Sequence, residues 1–231
     1  MKTRPPIAAR PVARFGRSGT AALALLLALA SPTVPIFAAA PATPPSAAAA
    51  DPQAMLRGAV DEVLAVAYPE KPADPAAPAP APLAERVRPV LEKYFSFELL
   101  TRSAVGPGWN QTKPDDQKRI ITLFTELVIR TYSDKFEPGA RPAVTYAKPV
   151  EIDAARRELP TSIAYAGKTY SVSYRVRQQP EGWRIYDVNV EGVSMVANYR
   201  AQFTPLFDKG GAAAIITAIE KNIADYAAAK K

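Results

Sequence analysis

Few residues in this chain could carry out covalent chemistry. It contains no histidine and no cysteine. Ser-His-Asp and Cys-His catalysis, thiolate chemistry and the usual zinc and haem ligand sets are therefore excluded. No glycine-rich phosphate loop of the nucleotide-binding kinds is present. Carboxylates remain as acids, bases or calcium ligands. Asp115 and Asp116 follow Pro114, and helix-start charge against the positive helix end explains them better than a metal site. Asp187 and Glu191 alternate with Val188 and Val190, so they read as a solvated strand face or a salt bridge rather than as catalytic groups. What the sequence offers in quantity is aliphatic and aromatic surface at regular spacing.

The stretch from Trp183 to Phe203 carries the clearest pattern. Tyr186, Val188 and Val190 point one way at period two, with Asp187, Asn189 and Glu191 the other way. At Gly192 the period changes. Val193, Val196, Tyr199 or Arg200, Phe203 and Leu206/Phe207 follow at spacings of three and four, one face of a helix. The spacing predicts a strand running almost without a loop into an amphipathic helix that folds back over the same sheet face. Such a clamp can enclose a deep apolar space.

Upstream, alternation predicts three more strands. Val144, Tyr146 and Val150 lie in the first, Leu159 to Tyr165 in the second, and Tyr170, Val172, Tyr174 and Val176 in the third. Ala166-Gly167 and Gln179 to Gly182 are turn signals, so the last three strands form an antiparallel meander. Pro149 and Pro160 mark strand ends or an edge. Helices are expected from Pro52, over Leu83 to Tyr94, over Phe97 to Val105, and from Pro114 to about Phe136, the last with Phe124, Leu127, Val128 and Tyr132 facing inward. The fold class is α+β: an antiparallel sheet of about four strands wrapped by helices. On pattern alone its apolar face reads as packed core.

The N-terminus reads as a secretory signal peptide over residues 1–40. Lys2, Arg4, Arg10, Arg14 and Arg17 precede the apolar run Ala21 to Ala30, and small residues surround Ala39. That segment holds five basic and no acidic residues, which leaves 24 Lys and Arg against 22 Asp and Glu, a net of +2. The basic character thus belongs to the leader, and a nucleic-acid partner loses its main support. Residues 41–82 divide into an Ala/Pro-rich lead, the first helix and a linker over 69–82 with six prolines. One domain follows over 83–226, with no cofactor expected.

The run Asp187-Val-Asn-Val-Glu-Gly-Val-Ser-Met-Val-Ala-Asn-Tyr-Arg-Ala-Gln-Phe203 resembles the signature of the MlaC, or toluene-tolerance, family. The likeness extends over roughly residues 85–222, taking in Tyr94-Phe95, the helix near Phe124 and Lys209-Gly210-Gly211. These are periplasmic phospholipid carriers of Gram-negative bacteria, with a paralogous group, HpnM, associated with hopanoid lipids. The resemblance implies that the sheet and helices enclose a cavity for acyl tails with the headgroup toward solvent. On that basis the cavity residues are Phe95, Leu99, Phe124, Leu127, Val128, Tyr132, Val144, Tyr146, Tyr170, Val172, Tyr174, Val176, Tyr186, Val188, Val190, Val193, Val196 and Phe203. Arg200 is a candidate headgroup contact, with a helix-surface salt bridge as the plainer alternative. The partners implied are a phospholipid or hopanoid-type lipid, an outer-membrane lipoprotein–porin complex, and an inner-membrane ABC transporter with a tethered ring protein. Two rivals stand beside the carrier. One is a ketosteroid-isomerase-like cavity enzyme using Asp and Tyr; the other is a lipid-free periplasmic adaptor.

Overall fold

A computed structural model describes residues 51–69, 80–133, 136 and 141–228. The expected signal peptide and most of the proline-rich linker lie outside them. Helix α1 (Pro52–Ala67) begins with Pro52 in its first turn and Asp51 as N-cap, whose carboxylate accepts from the Gln53 amide at 3.0 Å. Helix α2 (Leu83–Tyr94) leads through Phe95 into α3 (Phe97–Val105), which Ser96 caps by accepting from Leu99 N. A 3₁₀ turn over Gly106–Gln111 separates α3 from α4 (Pro114–Ser133). Thr112 donates back to the Gly108 carbonyl at 2.9 Å, which closes this turn.

The sheet follows as β1 (Ala143–Tyr146), β2 (Val150–Asp153), β3 (Arg156–Tyr165), β4 (Lys168–Gln179), β5 (Gly182–Val190) and β6 (Val193–Ser194). All six strands pair antiparallel in the order β1-β3-β4-β5-β6, with β2 beside β1 along the edge of β3. The sequence predicts one strand where β1 and β2 stand. Pro160 is the cause. Its carbonyl accepts from Ala147 N at 3.0 Å, so its nitrogen faces the same edge without a hydrogen to donate, and the outer strand breaks there. Helix α5 (Met195–Ala228) closes the fold and bends at Gly210–Gly211, where Gly211 takes φ 61°.

Two buried clusters result. The larger joins α3, α4 and α5 around Phe124, whose ring meets Tyr199 and Phe203 edge-on at 4.7 and 5.2 Å. The smaller joins Leu56 of α1 to Leu159, Val176, Trp183 and Ile185 of the sheet. Between them the helices stand off the sheet.

Candidate functional site

The two turns at one end of the sheet fix where the interior opens. Ala166-Gly167, between β3 and β4, has φ of 50° and 74°; Glu191-Gly192, between β5 and β6, has φ of 51° and 81°. Both are tight hairpins with left-handed central residues. Register brings them together, because Val172 of β4 pairs with Val190 of β5. The start of β1 lies at the same end, with Ala143 opposite Ala164.

Inward from these turns lies an apolar cavity of about 950 Å³. A bulge in β5 shapes its floor. Arg175 pairs with Asp187 and Val176 with Ile185, so Tyr186 is an extra residue with no partner in the register. The bulge changes the phase of alternation. Ile185 before it and Val188 and Val190 beyond it therefore share the cavity face with Val172 and Tyr174. Burial pushes the Tyr174 phenol up to about 12, helped by the neighbouring Tyr146 and opposed by a hydrogen bond with Thr161. Burial also raises the Tyr132 phenol, reinforced by the Asp187 charge.

Of the residues expected from sequence, Phe95, Val128, Tyr132, Val144, Tyr170, Val172, Tyr174, Val188, Val190 and Val193 stand on the cavity wall. The others do not. Phe124, Leu127, Val196 and Phe203 are packed between α3, α4 and α5, where helix-on-helix contact leaves no space. The expected clamp thus encloses the cavity only through the first turn of α5, by Met195 and Asn198. Leu99 falls outside the buried stripe of α3, which is Phe97, Leu100, Thr101, Ala104 and Val105. Val176 is fully buried in the smaller cluster, and Tyr146 lies under the Arg57 guanidinium, 4.0 Å from its ring centre. Tyr186 belongs beside Arg156 because of the bulge. Arg200 gives its Nε and Nη2 to the Ser103 carbonyl at 2.8 and 2.5 Å, which ties α5 to α3 away from the cavity.

The largest omission is α1. Leu56, Ala59, Val60, Val63 and Leu64 form a whole side of the cavity, and Val87, Val90 and Leu91 of α2 extend it. The period of α1 is visible in the sequence, but the proline-rich linker sets it outside the domain expected over 83–226. Few polar groups reach the interior. Ser133, buried at the end of α4, has a hydroxyl on this wall with no hydrogen-bond partner among the described residues. No carboxylate lines the cavity among the described residues, nor do they include a cluster able to hold a metal. No helix among them is long and apolar enough to cross a membrane.

A family model described as MlaC protein matches residues 57–221. The chain belongs to the MlaC family. That match starts inside α1 and ends inside the kinked α5, so it takes in all or most of every element that walls the cavity. A solved structure of a phospholipid-binding protein from Ralstonia solanacearum, in complex with a phospholipid, is similar at 27% identity and a TM-score of 0.66, covering 77% of this chain and 99% of that one. No curated protein matches. MlaC membership and the shared fold agree with a binding protein built around its cavity.

Proposed function

We propose that this protein carries a phospholipid through the periplasm, holding the acyl tails in the cavity and the headgroup at its mouth. The observation behind this reading is an apolar cavity of about 950 Å³ between the helices and the sheet. A methylene takes up roughly the 30 Å³ share of one water, so the space suits about thirty methylenes, or two ordinary tails. Each buried methylene is worth about 0.8 kcal/mol, so a sixteen-carbon tail gains ~13 kcal/mol over water. Tails pass between membrane and cavity at little net cost, because both are apolar. Loading and release then fall to partners at the two membranes: an outer-membrane lipoprotein–porin complex and an inner-membrane ABC transporter with its tethered ring.

The phospholipid named for the Ralstonia protein supports the same ligand class here. The absence of a carboxylate on the cavity wall among the described residues speaks against isomerase chemistry in this space. Organic extraction and mass spectrometry of the protein purified from its native periplasm test the proposal. Stoichiometric diacyl phospholipid is the expected result. A hopanoid in its place would redirect the ligand class, and no lipid at all would sink the carrier reading.

A further inference from the structure

The rim of the cavity is chemically lopsided. On the side of the β5–β6 turn it is apolar, with Val190 and Val193 exposed at 39% and 62%. On the side of the β3–β4 turn a second, smaller hollow of about 370 Å³ adjoins it. The two spaces share Tyr165, Ala166 and Lys168, so Lys168 borders both. Arg141, in the approach to β1, and Thr169 complete the smaller hollow's polar lining, which includes no carboxylate. Neither Arg141 nor Lys168 forms an ion pair among the described residues, although ion pairs occupy many of this protein's other basic residues. Glu191, the acidic residue of the opposite turn, accepts a hydrogen bond from the backbone amide of Ser171 on its carboxylate.

Two cations without an ion pair among the described residues, bordering a hollow that opens off an apolar cavity, form an anion site coupled to a hydrocarbon site. We infer that Arg141 and Lys168 bind the phosphate ester of the cavity's occupant, and so select lipids that carry a phosphate over neutral lipids with the same tails. The inference rests on the carrier reading and adds the residues that read the headgroup. Guanidinium is suited to two phosphate oxygens at once, and the lysine ammonium adds a point charge from the turn. Both side chains are exposed, so the preference is modest and falls as salt rises.

The test uses delipidated full-length protein and two pyrene-labelled probes with identical tails, phosphatidylglycerol and diacylglycerol. The wild type should favour phosphatidylglycerol by about tenfold at low salt, the range of one or two charge-assisted contacts. Arg141→Ala/Lys168→Ala should lose that preference, keep its diacylglycerol affinity and melt at the wild-type temperature. If the double variant retains the full preference, the site is overturned while the carrier reading stands. A wild type that takes both probes equally has the same consequence. Inorganic phosphate alone, titrated into the delipidated protein, should bind far more weakly than phosphatidylglycerol. Binding as tight as the lipid's would assign the site to the free anion and overturn the headgroup role. A wild type that takes neither probe removes the carrier reading and this site together.

Discussion

The Tyr94 hydroxyl donates to the Glu62 carboxylate at 2.7 Å and so fastens α1 to α2 above the cavity. Lys93 Nζ reaches the same carboxylate at 2.6 Å, and Gln53 Nε2 donates to the Ala147 carbonyl at 3.1 Å. Gly58 makes room for the pair, since a Cβ there would lie 3.1 Å from the Tyr94 oxygen. The helix that forms one side of the cavity is thus moored in part by polar side chains.

That mooring has a pH dependence of definite sign. The hydrogen bonds from Lys93 and then Tyr94 hold the Glu62 carboxyl below its ordinary value of about 4.3. A depressed carboxylate contributes stability above the unfolded value and loses it as pH falls through the folded one. Hydrogen exchange of α1 amides, corrected for intrinsic rates, should accelerate below about pH 4. Glu62→Gln should show the faster exchange already at neutral pH and abolish the step. The loss of global stability should stay under about 1 kcal/mol, because the pair is exposed. An α1 whose exchange ignores both pH and the substitution would show that apolar packing alone holds it.

Asp187 gives the second prediction. Its carboxylate is 2% exposed, accepts from Ser194 Oγ at 2.6 Å and Val196 N at 3.0 Å, and lies 3.5 Å from Arg175. It seats the first turn of α5 against β5, where negative charge suits the helix start. Asp187→Ala strands an amide and a hydroxyl and should cost about 2–3 kcal/mol in urea denaturation. A loss under about 0.5 kcal/mol would mean that water replaces the carboxylate there.

The case of Asp187 shows what could be read from sequence and what could not. Alternation located β4 and β5 and set Val172, Tyr174, Val188 and Val190 on one face, because the sheet period is local. The bulge at Tyr186 was invisible, since an inserted residue leaves the string of residue types unchanged. Asp187 reads as a solvated group or a salt-bridge partner on the face opposite Val188; it does lie 3.5 Å from Arg175, but the start of α5 covers that face and buries it. The periodicity of α5 identified Val196 and Phe203 as buried without saying against what. Burial is encoded in residue type, but which surface a helix meets depends on contacts distant in sequence. For the same reason the sequence places α1 outside the domain expected over 83–226, although it walls the cavity. The rim cations Arg141 and Lys168 went unremarked because only the fold sets a loop residue beside a hairpin turn.

Gly108 and Phe207 provide a third test. A Cβ at position 108 would lie 2.7–2.8 Å from atoms of the Phe207 ring, which packs over the 3₁₀ turn. Gly108→Ala should therefore cost about 1–3 kcal/mol through overpacking. Neither residue lines the cavity, so lipid per folded molecule should hold steady. Adding Phe207→Leu should recover part of the loss. If the double variant is less stable than the alanine variant by the full cost of Phe207→Leu alone, the two residues are not coupled and the clash is not the cause.

The last prediction separates cavity from core within one sheet face. Val188 stands opposite Tyr174 in register and on the cavity wall, while Val176 pairs with Ile185 and is fully buried. Both are valines on the same face, differing in what lies above them. Val188→Trp has empty volume to enter, so the protein should fold with a loss under about 1 kcal/mol while bound lipid falls sharply. Val176→Trp meets close-packed neighbours, and overpacking should cost about 3 kcal/mol or more for so large an insertion. Melting temperature and extracted lipid measured on the same samples compare the pair directly. Equal destabilisation of the two variants would mean that the space above Val188 closes in solution, and the tail-binding reading would fall with it.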